Sequence, residues 1–245
     1  MRIRRSLAIL ALLFALPLGA SALEAPDSLR VTWGVLVESL LNPSFAGNVS
    51  SPSVSFNVGA GVSMPFAPGS RFSFAPSADL YWYYSEFNSG QPVSADEAFS
   101  TTFTVGALLN APIVYGFPLG TNMSLNFGLG LCFDVRFAFT SGDLAPGDAA
   151  LSNAYFWGEG RFVAPSTLLR FDYALTERVG FGVSARVIWP IYNLWTGEGY
   201  GFLDQTKYVI DMVIRLRLSA KKADQPDSSQ PPAPETPAAS ETPPA

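Results

Sequence analysis

The residues best suited to chemistry in this sequence are three aspartates, Asp79, Asp134 and Asp211, each within a run of alternating apolar and polar residues. Two carboxylates at a suitable separation can act as general acid and base, or as acid and nucleophile. The 245-residue chain has no histidine and a single cysteine, Cys132. These counts exclude histidine-based catalysis, multi-cysteine zinc sites and an intramolecular disulfide, so paired carboxylates are the remaining catalytic possibility.

Arginines share the alternating positions of these aspartates, and this favours a network of ion pairs over catalysis. Charge that is removed from water needs a partner, and ionisable groups inside a barrel are normally paired. The expected members of this lumen charge network are Asp79, Asp134, Arg136, Arg170, Arg186, Asp211, Arg215 and Arg217. We therefore predict no catalytic residue, no enzymatic activity, no cofactor and no metal site.

The elements that must position these side chains are predicted from a period of two, which is the spacing of residues on one face of a β-strand. From Met123 to Phe137, for example, every second residue is apolar and the residues between them are small, polar or charged. Eight segments show this pattern, at about 29–39, 53–63, 71–86, 99–113, 122–138, 154–173, 179–191 and 206–218. Each is long enough for the roughly 9–11 residues with which a tilted strand crosses a bilayer.

The sixth segment, 154–173, is the least regular of the eight. Glu159 and Arg161 share one face, but Pro165 shifts the alternation before Leu169 and Phe171. Proline within a sheet is confined to edges and bulges, so we predict a β-bulge at this position.

The connections between the segments alternate in length, beginning with a long one at 40–52 and a short one at 64–70. Bacterial outer-membrane barrels have long extracellular loops and short periplasmic turns. An even number of strands also leaves both termini on the periplasmic side. The pattern therefore predicts an all-β, eight-stranded, antiparallel, up-and-down transmembrane β-barrel.

Composition indicates which face of these strands is outside. Only 14% of the residues are charged, against about 25% in soluble domains, whereas 13% are aromatic. An eight-stranded interior is too narrow for many large aromatic side chains, so we place the apolar face outside. A soluble, secreted, lipocalin-like barrel with an apolar interior is the alternative. Aromatic residues expected at the membrane interfaces are Trp33, Trp82, Tyr84, Trp157, Trp189 and Trp195.

The two ends of the chain differ from the part between them. Basic residues within 2–5 precede an apolar run from Leu7 to Leu18 and small residues up to Ala22, as in a secretory signal peptide. Residues 219–245 are rich in Pro, Ala, Ser, Thr and acidic residues, a composition typical of disorder. We predict a signal peptide at 1–22 cleaved after Ala22, a barrel at 23–218 and a disordered tail at 219–245.

From Leu29 to Leu218 the sequence resembles the small eight-stranded outer-membrane proteins of bacteria, the group that includes the outer membrane protein A transmembrane domain and outer membrane proteins X and W. The stretch from Pro165 to Tyr173 looks like the Pro-Pro-Thr-Leu segment of the W family, with Ser166 in place of the second proline. The resemblance implies an outer-membrane location, with membrane lipids and the outer-membrane assembly machinery as partners, and a monomer. A net charge of −5 argues against nucleic acid as a partner.

Three functions are compatible with this architecture. The first is a structural or surface-interaction barrel with a plugged, charged lumen and loops that could meet an extracellular ligand. The second is a narrow pore or transporter for small solutes, including hydrophobic ones. The third is the soluble lipocalin-like binding barrel, which the low charge disfavours.

Overall fold

A computed structural model describes residues 23–39, 53–88, 90–94, 102–140, 147–196 and 203–218. The predicted signal peptide, its cleavage site and the predicted tail lie outside the described residues. The strands are β1 (Ser28–Glu38), β2 (Ser53–Pro65), β3 (Phe72–Phe74), β4 (Ser77–Asn88), β5 (Gln91–Ser94), β6 (Thr102–Pro118), β7 (Met123–Thr140), β8 (Val163–Ala174), β9 (Val179–Ile188) and β10 (Lys207–Arg217). Two helices, α1 (Gly147–Trp157) and α2 (Asn193–Thr196), complete the described elements, and neither is long enough to span a membrane.

The strands form a closed antiparallel ring. β1 pairs with β2 on one side and with β10 on the other, and each remaining wall strand pairs with its neighbours in the chain. β3 and β4 together occupy one position in the ring, between β2 and β6, and among the described residues β5 pairs only with the last residues of β4. The ring therefore has eight positions, which confirms the predicted eight-stranded up-and-down barrel.

The two ends of the barrel are built differently. Short turns join the strands at the end where β1 begins and β10 ends, and we call this the terminal end. Two of these turns use glycines with positive φ, Gly69 and Gly120, a conformation that glycine adopts without strain. The long connections, including those that contain α1 and α2, lie at the opposite end, which we call the loop end.

Apolar side chains cover the outside of the ring. Phe56, Leu129 and Ile210 point outward and are 72%, 70% and 60% exposed, respectively. So many exposed large apolar residues in one continuous surface indicate contact with lipid or a partner, not with water. The apolar face is thus external, as in a transmembrane barrel and opposite to the lipocalin-like alternative.

The prediction for the sixth segment was wrong in its first part. Residues 147–157 form α1, a turn containing Glu159 and Arg161 follows, and β8 begins only at Val163. The register between β7 and β8 runs through Pro165 without interruption, so there is no bulge. The β8–β9 ladder starts after this proline, at Ser166. The N–H group that Pro165 lacks is therefore not needed for a ladder bond to β9.

Helix α1 protects a strand edge that β8 leaves uncovered. β7 continues to Thr140, well past the residue that pairs with the first residue of β8. In this region the side chain of Asn153 accepts a hydrogen bond from the Ala138 N–H at 2.9 Å and donates one to the Ala138 carbonyl at 2.8 Å. One amide side chain thus makes the two bonds that a neighbouring strand would make, which removes an exposed edge.

Glycines opposite large inward side chains allow the narrow lumen to be filled. The cross-strand pairs are Gly34 with Asp211, Gly59 with Asp79, Gly182 with Asp172 and Gly106 with Tyr81. A Cβ atom on Gly34 would lie 2.7 Å from Asp211 Oδ1, and one on Gly182 would lie 2.8 Å from Asp172 Oδ1. These distances are shorter than van der Waals contact, and the same Cβ atoms would lie closer still to the backbone carbonyl oxygens of Ile210 and Phe171. Glycine at these positions therefore allows both the close approach of the neighbouring strand and the space for the charged side chain.

Candidate functional site

The middle of the lumen is crossed by one arginine held between two aspartates, which we call the middle layer. Arg186 on β9 donates from Nη1 to Asp79 Oδ2 at 2.6 Å and from Nη2 to Asp211 Oδ2 at 2.8 Å. Asp211 lies on the neighbouring β10, whereas Asp79 lies on β4, on the opposite side of the ring. Their side chains are 7%, 0% and 0% exposed, so this ion-pair triad is shielded from water.

Neutral donors complete the environment of both carboxylates. Thr32 and Asn110 donate to Asp79 at 3.0 and 3.2 Å, and Asn57 and Ser184 donate to Asp211 at 2.7 and 3.4 Å. A buried charge is tolerated when its hydrogen bonds are made in this way. The Arg186 guanidinium thus stands between the two carboxylates, and each carboxylate also accepts hydrogen bonds from two neutral donors.

A second group of charges, the upper layer, lies nearer the loop end. Lys207 Nζ is 2.5 Å from Glu38 Oε1 and 3.2 Å from Asp134 Oδ2, while Arg136 is 3.2 Å from Asp134 and 3.7 Å from Glu38. Tyr81 donates its hydroxyl proton to Asp134 Oδ1 at 2.5 Å. Two cations and two anions thus balance within one buried cluster.

Glu38 and Lys207 were not among the predicted network residues. They form the last cross-strand pair of β1 and β10, and both are almost fully buried. The alternation itself carries the signal, because Glu38 has the parity of Arg30 and Lys207 has the parity of Asp211. The two residues were not assigned to the lumen because they lie at strand ends, where a charged residue is equally compatible with a loop.

An apolar layer separates the middle and upper layers. Its buried members include Leu36, Leu108, Cys132 and Val209. The rings of Tyr81 and Tyr83 in the same cluster are nearly parallel, with centroids 6.2 Å apart. Such a layer leaves the lumen at this height filled by side chains, and the thiol of Cys132 is sealed inside it.

The lower layer lies towards the terminal end and centres on Asp172. Arg170 Nε is 3.0 Å from Asp172 Oδ2, Arg215 Nη1 is 3.7 Å from the same atom, and Asn126 donates to it at 2.9 Å. Arg217, also predicted for the network, is the last residue of β10; it is exposed and has no ion pair among the described residues. Asp172 itself was not predicted.

A small cavity separates the middle and lower layers. Its volume is about 30 Å³, and its lining includes Arg30, Arg170 and Arg186. Arg30 donates from Nη2 to the carbonyl oxygens of Val62 and Ala75, at 2.7 and 3.3 Å. The space has room for about one or two water molecules, which polar walls of this kind would bind.

Helix α1 and the neighbouring connections cover the loop end of the lumen. The Arg136 guanidinium lies 4.1 Å from the centre of the Phe156 ring, and Phe156 is buried. This cation–π contact places the helix directly above the upper layer. Residues 91–93 of β5 are buried at the same end of the barrel.

Gln205 joins these covering segments. It has a φ of +63°, is buried, and donates from Nε2 to Gln91 Oε1 at 2.9 Å and to the Tyr155 hydroxyl. Tyr192 donates its hydroxyl proton to Gln205 Oε1 at 3.1 Å. Burial raises the pKa of Tyr192 well above its ordinary value, so this hydroxyl remains a donor at any physiological pH. One left-handed residue therefore ties β5, α1 and the β9–β10 connection together.

Among the aromatic residues predicted at the membrane interfaces, three tryptophans lie near the loop end of β7, β8 and β9. Trp157 ends α1 and packs against Phe137, with ring centroids 5.5 Å apart. Trp189 follows β9 and donates to Thr167 Oγ1 at 3.3 Å, and Trp195 in α2 donates to the Glu159 carbonyl at 2.8 Å.

The other three predicted aromatic residues lie on β1 and β4. Trp33 is the middle residue of β1, so it stands at half the height of the wall, whereas Trp82 is the sixth of the twelve residues of β4 and Tyr84 lies two residues nearer the loop end. Tyr84 packs against Phe103, with ring centroids 5.3 Å apart. Within the described residues, no three acidic or thiol side chains gather as a metal site would require.

No protein-family model and no curated protein matches this sequence. Among solved structures, Neisserial surface protein A (NspA) is similar, with a TM-score of 0.49 and 13% identity, over 78% of this chain and 96% of that chain. OprG from Pseudomonas aeruginosa has a TM-score of 0.38 and 10% identity, over 80% and 98% of the two chains. The attachment invasion locus protein Ail of Yersinia pestis has a TM-score of 0.38 and 8% identity, over 79% and 99%.

Proposed function

We propose that this chain is an integral outer-membrane β-barrel with a closed lumen, and that it has a structural or surface-interaction role. The continuous apolar exterior supports insertion in a membrane. The long connections are at the end opposite the termini, where outer-membrane barrels carry their extracellular loops. An extracellular ligand would therefore meet the loop end.

The main support for a closed lumen is the succession of layers of paired charged side chains along the barrel axis. Arg186 is tied to β4 on the far wall as well as to β10, and the upper layer balances its charges within itself. An ion passing through would have to displace partners from buried charges, which is strongly unfavourable. We assign no catalytic role to the lumen aspartates, since each is held by a cation.

The apolar outer surface of the barrel indicates which partners to propose for the protein. Membrane lipids would contact the apolar exterior, and the outer-membrane assembly machinery would insert the exported chain. The ring closes through the pairing of β1 with β10, so neither terminal strand of the wall offers an edge along its length to which a second chain could add a strand, and this favours a monomer.

Conductance of the purified mature protein in planar bilayers tests the closed lumen. We expect no conductance above that of the bare bilayer. Steady conductance in the unmodified protein would contradict the plug. The membrane location has its own test, since recovery as a soluble monomer without detergent would contradict it, as would the lack of a heat-dependent shift on denaturing gels.

A second candidate, a narrow path for small solutes including hydrophobic ones, is favoured by an incomplete ladder in the wall. β2 and β4 pair only from the Asn57–Tyr81 pair to the Gly61–Ser77 pair, although both strands continue towards the loop end. A side opening at this seam would let a solute bypass the charged layers. Uptake of small apolar solutes into vesicles that contain the protein would support this candidate, and uptake no faster than through empty vesicles would exclude it.

A further inference from the structure

The membrane-facing wall carries a groove of about 450 Å³ across β10, β1, β2 and β4. Three large side chains, Trp33, Phe56 and Trp82, form its sides. Two shorter ones, Val35 and Val58, lie between them as the floor. A recess of this volume with apolar and aromatic walls falls in the usual range of ligand sites.

Both tryptophans of this groove have unused hydrogen-bond donors. No described residue accepts a hydrogen bond from the indole N–H of Trp33 or Trp82, whereas the indoles of Trp189 and Trp195 both donate. Tryptophan normally lies at the membrane interface, where water can accept this bond. Trp33, halfway along β1, is at a depth that only acyl chains reach, whereas the indole N–H of Trp82, two residues nearer the loop end than Leu80 at the level of Trp33, can meet the oxygen atoms of a lipid ester.

The groove lies beside the incomplete ladder between β2 and β4. Phe56 and Trp82 are the first outward residues beyond the last paired residues, Asn57 and Tyr81. Since every backbone polar group in a bilayer needs a partner, a seam of this kind attracts a molecule with both polar and apolar parts.

We infer that this groove binds one acyl chain of an outer-leaflet membrane lipid. The inference rests on the membrane location proposed above. The groove is continuous with the lipid-facing surface, and Trp82 lies nearer the loop end than Trp33, because Trp33 pairs with Val58 and Val58 pairs with Leu80. In the proposed orientation the loop end faces the outer leaflet. The chain packs over Val35 and Val58 between the aromatic side chains, and an ester oxygen accepts a hydrogen bond from Trp82.

Photolabelling by a phospholipid with a diazirine on its acyl chain tests this inference. The full chain is reconstituted in vesicles containing this lipid, irradiated and mapped by peptide mass spectrometry. We expect labelling around Trp33, Phe56 and Trp82 to exceed labelling around Leu129, on the opposite wall, by about threefold or more, a modest affinity difference.

A pair of matched variants separates the groove from ordinary lipid contact. Val58→Phe fills the floor, and we expect it to reduce groove labelling to the level of the opposite wall. Leu129→Phe adds an aromatic ring outside the groove and should leave groove labelling unchanged. A heat-dependent gel shift shows whether each variant folds. If Val58→Phe does not fold, Trp82→Phe takes its place. The phenylalanine keeps an aromatic side of the groove but lacks the indole N–H donor, so we expect Trp82→Phe to lower the labelling.

Each remaining outcome overturns one specific statement. Equal labelling of both walls, or labelling unaffected by Val58→Phe, would mean that lipid contacts the wall without a site. Protein–protein cross-links at Trp33 in place of lipid adducts would identify a second copy as the occupant, and saturation by an added apolar solute would identify a solute. Absence of adducts on both walls, together with solubility without detergent, would instead refute the membrane location.

Discussion

Replacing Arg186 with methionine tests whether the middle layer is a structural ion-pair network. The change removes hydrogen bonds of 2.6 and 2.8 Å and leaves Asp79 and Asp211 buried without their cation. Breaking a buried pair in this way costs about 3–5 kcal/mol. Each carboxylate keeps two neutral donors, from Thr32 and Asn110 or from Asn57 and Ser184, so we expect a loss near the lower limit, about 3 kcal/mol. Urea titration of the protein in lipid vesicles measures the free energy of unfolding.

Two control variants show whether the loss of stability comes from the buried, unpaired carboxylates. Arg217→Met removes an exposed arginine from β10 and should change the free energy of unfolding by no more than about 0.5 kcal/mol. The triple variant that combines Arg186→Met with Asp79→Asn and Asp211→Asn has no unpaired charge, and we expect it to recover most of the loss. A loss below about 1 kcal/mol for Arg186→Met would refute the buried network, because an exposed ion pair is worth that little.

Three further changes test other contacts. Gly59→Ala forces a Cβ against the Asp79 carboxylate, and we expect a loss of about 1–3 kcal/mol in the same urea titration, whereas unchanged stability would show that the opposing glycine is dispensable. Gln205→Ala removes the hydrogen bonds that join the loop-end segments, and each of these bonds contributes about 1 kcal/mol. We therefore expect limited proteolysis to cleave those segments more than about tenfold faster in this variant. An unchanged cleavage rate would contradict the joining role of Gln205. Asn153→Ala exposes the β7 edge and should speed hydrogen exchange of the Ala138 amide, while exchange at the normal rate would show that this edge is protected in another way.

The fold was largely predictable from the sequence because its main signal is local. Side chains on a strand alternate between faces whatever the tertiary context, so a run such as that from Met123 to Phe137 predicts both a strand and its inward row. The scarcity of charge then indicates which row is outside. Helix α1 was missed because it sits among aromatic residues, Tyr155 to Trp157, that also suit a strand.

The partners within the candidate site could not be predicted, because they depend on register around the whole ring. Arg186 meets Asp211 across one ladder, but it meets Asp79 only because β4 and β9 face each other across the lumen. Arg136 reaches Glu38 in the same way, from β7 to β1. Alternation shows that these residues point into the lumen, but it does not show how far along the barrel axis each one lies. That position depends on the pairing register of every strand between them.

These cross-lumen contacts depend on the residues beside them as much as on the charges. A small barrel has little room for an arginine to cross it, and the room is created by residues without side chains, such as Gly34 beside Asp211 and Gly59 beside Asp79. The filling of the lumen by charged side chains is therefore encoded as cross-strand pairs in which one residue is large and its partner is a glycine. It follows that shortening Arg186 while keeping both glycines leaves a gap in the middle layer, whereas adding side chains at the glycines displaces the carboxylates without opening a path.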